Sequence, residues 1–230
     1  MGIIAANWKM NGDFDFADKF IKEINIVNSK HIVIVCPPTV LIGRFRDFQY
    51  SVGAQNCFYE ENGAFTGENS PKLLKIAGCE YVIVGHSERR SIFHETYDMI
   101  FKKWRAVIDH NMTPIVCIGE RQEERSSWKE VISDQLDLFL KNTDFLNDTT
   151  SCFAYEPVWS IGTGLVPSLE EIEAILDFIK TLLGDKIPLL YGGSVNAKNA
   201  AQILSCKNVD GLLVGGASLK IDEFKTIVSI

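Results

Sequence analysis

Short runs of apolar residues recur along the chain, separated by longer stretches of mixed polarity. Several runs, such as Ile32–Val35 and Tyr81–Val84, are apolar at every position, which is typical of strands covered on both faces. The runs predict strands at Ile3–Ala6, Ile32–Cys36, Ser51–Ala54, Tyr81–Val84, Thr113–Ile118, Cys152–Tyr155, Pro188–Tyr191 and Val209–Val214. Strands buried on both faces favour a parallel sheet with helices packed against it.

The stretches between these runs carry apolar residues at helical spacing. One apolar stripe consists of Phe16, Phe20, Ile21 and Ile24. A second stripe, with one polar interruption, consists of Trp128, Val131, Ile132, Gln135 and Phe139. The clearest stripe consists of Leu169, Ile172, Ile175, Leu176, Ile179, Leu182 and Leu183, with Gly184 as the expected C-terminal cap. Shorter helices are expected after the second, third and seventh strands.

Strands and helices thus alternate eight times, which predicts an α/β fold, a single (β/α)8 TIM barrel. The chain has 230 residues and is slightly shorter than the roughly 250 that are typical of this architecture. Neither a linker nor a shift in composition divides it, so we expect one domain over residues 1–230. In such a barrel the loops after the strands meet on one face, and functional sites are built there.

Polar and glycine-rich segments follow five of the predicted strands. These segments are Asn7–Gly12, Gly85–Arg90, Glu156, Tyr191–Asn196 and Gly215–Ser218. If the strands close into a barrel, all five lie on one rim. Together they supply a cation, an imidazole, a carboxylate and two glycine-rich loops, a combination that indicates an active site.

Glu156 stands where the sixth strand ends, because Pro157 has no N–H with which to continue the sheet. A glycine-rich segment, Ile161–Gly164, comes next, and Ser168 and Glu171 then have the spacing of a capping box that starts a helix. This arrangement predicts a general base beneath a movable lid. For the segment alone, an ordinary exposed glutamate before a turn remains the simpler interpretation.

Composition narrows the range of partners and locations. A net charge of -7 and a pI near 5.2 argue against general nucleic-acid binding, and no apolar run approaches the length of a membrane span. The N-terminus lacks the basic region and the long apolar run of a signal peptide. The cysteines are widely spaced and predict buried thiols of a cytoplasmic protein: Cys36, Cys57, Cys79, Cys117, Cys152 and Cys206. Neither a compact metal-ligand set nor a dinucleotide fingerprint is found, so we expect no metal and no cofactor.

Six segments, in order, resemble those of the triosephosphate isomerase family. They are Asn7–Asn11, Gly85–Arg90, Ala154–Trp159, Ile161–Gly164, Tyr191–Asn196 and Asp210–Leu219. The resemblance covers nearly the whole chain. It implies cofactor-free interconversion of dihydroxyacetone phosphate and glyceraldehyde 3-phosphate through an enediolate, as in glycolysis and gluconeogenesis. The lid departs from the family in having Ser160 where alanine is more common.

The resemblance also implies roles for individual residues. Glu156 would be the base, and His86 a neutral electrophile, since a helix predicted to start beside it disfavours the imidazolium. Lys9, otherwise an ordinary surface lysine, would offset the charge of the phosphate and the enediolate, with Glu88 as its buried partner. Asn7 would donate a hydrogen bond to the substrate, although a strand-end cap is its simpler role.

The glycine-rich loops suit a phosphate, because backbone N–H groups without neighbouring Cβ atoms can close on an anion. The predicted phosphate-binding residues are Ser194, Gly215 and Gly216, and the resemblance adds the N–H of Gly162 in the lid. Simple tight turns are an equally good interpretation of either glycine pair taken alone. Trp8, Tyr155 and Trp159 are expected to be packing residues.

The segment Cys57–Glu68 is long for a barrel connection. By resemblance it would insert into a neighbouring subunit and bring Thr66 near that subunit's active site, which predicts a two-fold homodimer. A flexible surface loop is the alternative.

Two other functions fit single features of the sequence. A serine hydrolase interpretation of Gly85–Arg89 fails because Arg89 replaces the second glycine of the nucleophile motif. A phosphate-binding barrel without catalysis is not favoured, because Lys9, His86 and Glu156 are all present.

Overall fold

The computed structural model describes residues 1–146 and 150–230. Within these residues the strands form a closed parallel barrel in which each strand pairs with the next along the chain and the eighth pairs with the first. Closure is visible at Ile3, which is in register with Ile32 on one side and with Gly211 on the other. The predicted (β/α)8 barrel is confirmed.

The strand bounds agree closely with those predicted. They are β1 Ile3–Asn7, β2 Ile32–Cys36, β3 Ser51–Ala54, β4 Tyr81–Val84, β5 Thr113–Ile118, β6 Cys152–Tyr155, β7 Leu189–Tyr191 and β8 Gly211–Val214. β7 starts one residue later than predicted, because Pro188 has no N–H to donate to the ladder. β8 starts two residues later, because the Val209 N–H is bonded to the Cys206 carbonyl in the preceding turn.

Helices follow the strands around the outside of the barrel. The α-helices are α1 Phe14–Asn25, α2 Pro71–Ile76, α3 Ser87–Ile92, α4 Tyr97–Asp109, α5 Trp128–Leu140, α6 Thr143–Leu146, α7 Leu169–Leu183, α8 Ala200–Leu204 and α9 Ile221–Val228. Shorter 3-10 segments lie at Thr39–Asp47, Gln122–Ser127, Val158–Ser160 and Gly216–Leu219. As predicted, the helical segments after β2, β3 and β7 are irregular or short. No helix of the described residues is long and apolar enough to cross a membrane.

The three predicted apolar stripes lie on α1, α5 and α7. The capping box of α7 is formed: the Ser168 hydroxyl accepts from the Glu171 N–H at 3.1 Å, and the Glu171 carboxylate accepts from the Ser168 N–H at 2.8 Å. Gly184 ends this helix with φ of 83°, as expected of its cap. A stable start for α7 matters to the site, because the residues just before it form the predicted lid.

Apolar side chains fill two layers. A small inner cluster occupies the barrel and includes Ala5, Ile34, Ile83, Ile115 and Leu190. A larger cluster lies between the strands and the surrounding helices. All six cysteines are free and buried, as predicted. Because both layers are filled, the strand ends are held rigidly, and the loops that follow them have defined positions.

Replacing Ser168 with alanine tests how firmly the end of the lid is anchored. The change removes the hydroxyl that satisfies an otherwise unpaired helix N–H. We expect a loss of about 1 kcal/mol in the free energy of unfolding, measured by urea denaturation. Ser133→Ala is the matched control, because Ser133 is a partly exposed residue within α5, away from the lid. Equal stability of the two variants would contradict the predicted capping contribution.

Candidate active site

A cavity of about 480 Å³ opens at the carboxyl ends of the barrel strands. Its walls come from the loops after β1, β4, β6, β7 and β8, which are the five segments singled out in the sequence. Every predicted site residue lines it: Asn7, Lys9, His86, Glu156, Gly162, Ser194, Gly215 and Gly216. Barrel closure therefore brings together residues that are up to 209 positions apart, from Asn7 to Gly216.

Glu156 follows β6 directly and is 1% exposed, so the interpretation as an exposed turn residue is wrong. Its Oε1 lies 2.9 Å from His86 Nε2, and its Oε2 accepts from the Ser87 N–H at 2.9 Å. The carboxylate has room because the seventh loop begins with glycine: a Cβ on Gly192 would lie only 3.0 Å from Glu156 Cγ. Glu156 is thus held between two donors at the base of the cavity.

The surroundings of Glu156 act on its pKa in opposite directions. Burial raises the pKa, whereas His86, Arg90 and the Ser87 N–H stabilise the carboxylate and lower it. The lowering contributions prevail, and the pKa of Glu156 is below its usual value. The residue is therefore ionised at neutral pH, as a proton acceptor must be.

His86 caps the N-terminus of α3. Its Nδ1 accepts the Glu88 N–H at 3.2 Å, which assigns the ring proton to Nε2 in the neutral tautomer. Nε2 then donates to Glu156 and faces the cavity. The helix start and the Glu88 N–H are the features on which the prediction of a neutral imidazole rests.

Lys9 adopts φ of 53°, a left-handed conformation that is uncommon for a residue with a side chain. Two amides hold it: the Asn7 Oδ1 accepts the Lys9 N–H at 3.0 Å, and the Gln55 Nε2 donates to the Lys9 carbonyl at 2.8 Å. The Lys9 ammonium pairs with Glu88 at 2.6 Å. The Lys9–Glu88 pair was predicted. The predicted burial of Glu88 is wrong, because its side chain is 42% exposed.

The two glycine-rich loops border the same cavity. The eighth loop runs beside Lys9: a Cβ on Gly215 would lie 3.6 Å from the Lys9 Cε. In the seventh loop, the Ser194 hydroxyl donates to the Ser160 carbonyl of the lid at 2.6 Å. Gly162, at the lid, is exposed and has φ of 71°. The lid, the seventh and eighth loops and Lys9 therefore surround the same cavity.

Sequence reasoning missed three contributors to this arrangement. They are the Ser87 N–H on Glu156, Gln55 on the Lys9 carbonyl, and Glu120 under the lid. Glu120 accepts from the Tyr155 hydroxyl at 3.1 Å and from the Trp159 Nε1 at 2.9 Å. A signal for Glu120 was present, because it is a carboxylate just after β5, as Glu156 is after β6. Tyr155 and Trp159, which were predicted to be packing residues, thus also donate hydrogen bonds to Glu120.

A model of the triosephosphate isomerase family matches residues 2–230. The chain belongs to the triosephosphate isomerase family. It is 42% identical to the triosephosphate isomerase of Francisella tularensis subsp. mediasiatica over 99% of this chain and 96% of that one. It is likewise 42% identical to that of Francisella philomiragia subsp. philomiragia and 40% identical to that of Clostridium tetani, again over 99% of this chain.

Membership of the triosephosphate isomerase family makes the chain an isomerase that acts on a triose phosphate. The serine hydrolase and the non-catalytic barrel are thereby set aside. Within the described residues, no group of three or more His, Cys, Asp or Glu side chains is placed to hold a metal ion. The triosephosphate isomerase family match covers the entire site, from Asn7 to Gly216.

Proposed function

We propose that the chain interconverts dihydroxyacetone phosphate and D-glyceraldehyde 3-phosphate by cofactor-free proton transfer, with Glu156 as the base and His86 as the electrophile. The observation that carries this assignment is the buried Glu156 carboxylate beside the His86 Nε2, in a cavity that also contains a lysine and two glycine-rich loops. Substrate and product have the same atoms and electrons, so the reaction requires no oxidant or reductant.

In the proposed step, Glu156 takes a proton from the carbon next to the carbonyl. The C–H electron pair forms the double bond of an enediolate, and negative charge moves to the carbonyl oxygen, toward the His86 N–H. A proton also moves from the hydroxyl oxygen to the former carbonyl oxygen beside the His86 ring. Return of the first proton to the neighbouring carbon then completes the isomerisation. A neutral imidazole suits this role, because the acidity of its N–H is closer to that of an enediol O–H than the acidity of an imidazolium is.

Glu156 must exchange partners during this reaction. Its two oxygens face the His86 ring and the Ser87 N–H, which lower its pKa and make it a weak base. A substrate carbonyl that takes over the His86 donor would remove one of these stabilising contacts. Glu156 would then be a stronger base at the moment when the proton is transferred.

Lys9 and the backbone N–H groups complete the proposed site. The Lys9 ammonium, oriented by Glu88, would offset the charge of the phosphate and of the enediolate. Asn7 would donate to the substrate, although its Oδ1 also accepts the Lys9 N–H and holds that residue's backbone. Gly162, Ser194, Gly215 and Gly216 would bind the phosphate through N–H groups.

Glu156→Gln tests the base directly, since glutamine keeps the shape but does not accept the proton. We expect turnover to fall by about 10²- to 10⁴-fold, or more, in a coupled isomerase assay, because general-base catalysis is lost. The Kd of inorganic phosphate should change far less. Adding a chelator to the wild-type assay should leave its rate unchanged.

Glu130→Gln is the matched control, because Glu130 is an exposed carboxylate on α5, outside the cavity. Near wild-type turnover of Glu156→Gln would show that another residue is the base. Loss of wild-type activity with the chelator would point to a metal-dependent isomerase instead.

We further propose that the lid protects the enediolate. An enediolate with a phosphate ester on the adjacent carbon can expel phosphate instead of being reprotonated. Holding the C–O bond away from the π system and keeping water out favours reprotonation. Gly162 and the two glycine-rich loops line the cavity, which supports this role for their N–H groups.

Deleting Ile161, Gly162 and Thr163 should leave Glu156, His86 and Lys9 in place but lower turnover. Part of the intermediate should then be converted to methylglyoxal and inorganic phosphate. Product NMR from dihydroxyacetone phosphate measures both reactions, and a protein-free sample gives the background elimination. Slower isomerisation without additional elimination would mean that the lid only binds substrate.

We also propose a two-fold homodimer formed through the loop around Thr66. Residues 61–68 of this loop are exposed. A second cavity, of about 350 Å³, adjoins the active site and shares Asn7, Lys9 and His86 with it. Large apolar side chains are exposed on this side of the molecule, among them Phe93, which is 61% exposed and lines this cavity. A partner's Thr66 loop inserted here would cover them and complete the surroundings of Lys9.

Sedimentation at micromolar concentration tests the assembly. The expected species has twice the mass of the 25.8 kDa chain. Replacing Thr66 with arginine at the centre of the proposed contact should shift the equilibrium toward monomer and reduce activity. A stable monomer with full wild-type activity would contradict the proposal.

Finally, we propose that residues 1–230 act as one domain in the cytoplasm. The continuous pairing of β1 to β8 supports a single unit. The six free thiols suit a reducing compartment.

A further inference from the structure

Ser160 is a fully buried hydroxyl residue at the start of the lid. Its Oγ donates to the Leu165 carbonyl, at the other end of the lid, at 2.6 Å. The same Oγ accepts the Ser194 N–H of the seventh loop at 3.3 Å. One side chain therefore joins both ends of the lid to a loop that borders the active-site cavity.

The seventh loop has room for this hydroxyl because it contains a glycine at the contact. A Cβ on Gly193 would lie 3.0 Å from the Ser160 Oγ and 2.2 Å from the Tyr191 hydroxyl. The backbone also takes part, since the Ser194 hydroxyl donates to the Ser160 carbonyl at 2.6 Å. Ser160 and Ser194 are thus bonded in both directions.

The Ser194 N–H has two possible acceptors. In this structure it points to Ser160, whereas under the proposed function, on which this inference rests, it binds the substrate phosphate. One N–H makes one good hydrogen bond at a time, so phosphate must displace the Ser160 hydroxyl.

We propose that Ser160 is a positioning residue that stabilises the lid arrangement in which it accepts the Ser194 N–H, and that it competes with phosphate for this N–H. The hydroxyl bonds favour this arrangement over one in which the Ser194 N–H binds phosphate, so they lower the affinity for phosphate and couple phosphate binding to release of the lid. A residue without a hydroxyl at position 160 would not compete with phosphate for the Ser194 N–H.

Ser160→Ala removes the hydroxyl and keeps the backbone carbonyl that accepts from Ser194. The Kd of inorganic phosphate, measured by calorimetry, should decrease about 3- to 10-fold, as expected from losing one hydrogen bond in the free state. The KM for dihydroxyacetone phosphate should also decrease, and kcat should change less than KM does. A purely structural role would not produce tighter binding.

Two variants complete the experiment. Ser160→Cys keeps the approximate side-chain volume with a weaker donor, so its Kd should fall between those of wild type and Ser160→Ala. Ser133→Ala replaces a partly exposed serine on α5, outside the cavity, and should bind phosphate as the wild type does. Urea denaturation shows whether each variant is folded. If Ser160→Ala does not fold, the phosphate Kd of Ser160→Cys tests the inference.

A Kd for Ser160→Ala that is unchanged or raised would overturn the inference. A raised Kd would show that Ser160 stabilises the phosphate-bound lid instead. This readout is separate from catalysis: absent isomerase activity in the wild type would contradict the proposed function, whereas normal activity with an unchanged phosphate Kd would contradict only the role of Ser160.

Discussion

Closure of the parallel barrel is the constraint on which the rest of the structure depends. Because β1 pairs with both β2 and β8, every strand has two neighbours and every carboxyl end faces the same rim. Asn7, His86, Glu156 and Gly215 come from four different strands, yet they line one cavity. The two apolar layers make this rim rigid, and rigidity is what allows hydrogen-bond donors to be placed within 3 Å of a buried carboxylate.

Two buried carboxylates at this rim, Glu156 and Glu120, differ in the direction in which the surrounding residues shift their pKa. Burial raises the pKa of both Glu156 and Glu120. For Glu156, the His86 ring, Arg90 and the Ser87 N–H outweigh burial, and the pKa is lowered. For Glu120, the bonds from Trp159 and Tyr155 do not outweigh it, and the pKa remains raised. Glu156 is therefore held as a carboxylate, while Glu120 anchors the lid tryptophan from below.

The lid connects these features. Its first turn bonds to Glu120 through Trp159, and Ser160 bonds to both Leu165 and Ser194. Polar contacts thus stabilise the lid in its present position. Each such contact contributes only about 1 kcal/mol, so under the proposed function a bound phosphate would be able to replace one of them.

The sequence by itself determined the features that depend on local pattern. Apolar runs located the strands to within two residues, the Ser168–Glu171 spacing located the start of α7, and the family motifs identified the cavity residues. Only the tertiary structure decided the partners of those residues. The Ser87 N–H reaches Glu156 across 69 positions and Gln55 reaches Lys9 across 46, while the Glu88 side chain is half exposed in spite of its predicted burial. Periodicity reports which face of an element is buried, but hydrogen bonds over such separations depend on how the closed barrel places its loops against one another.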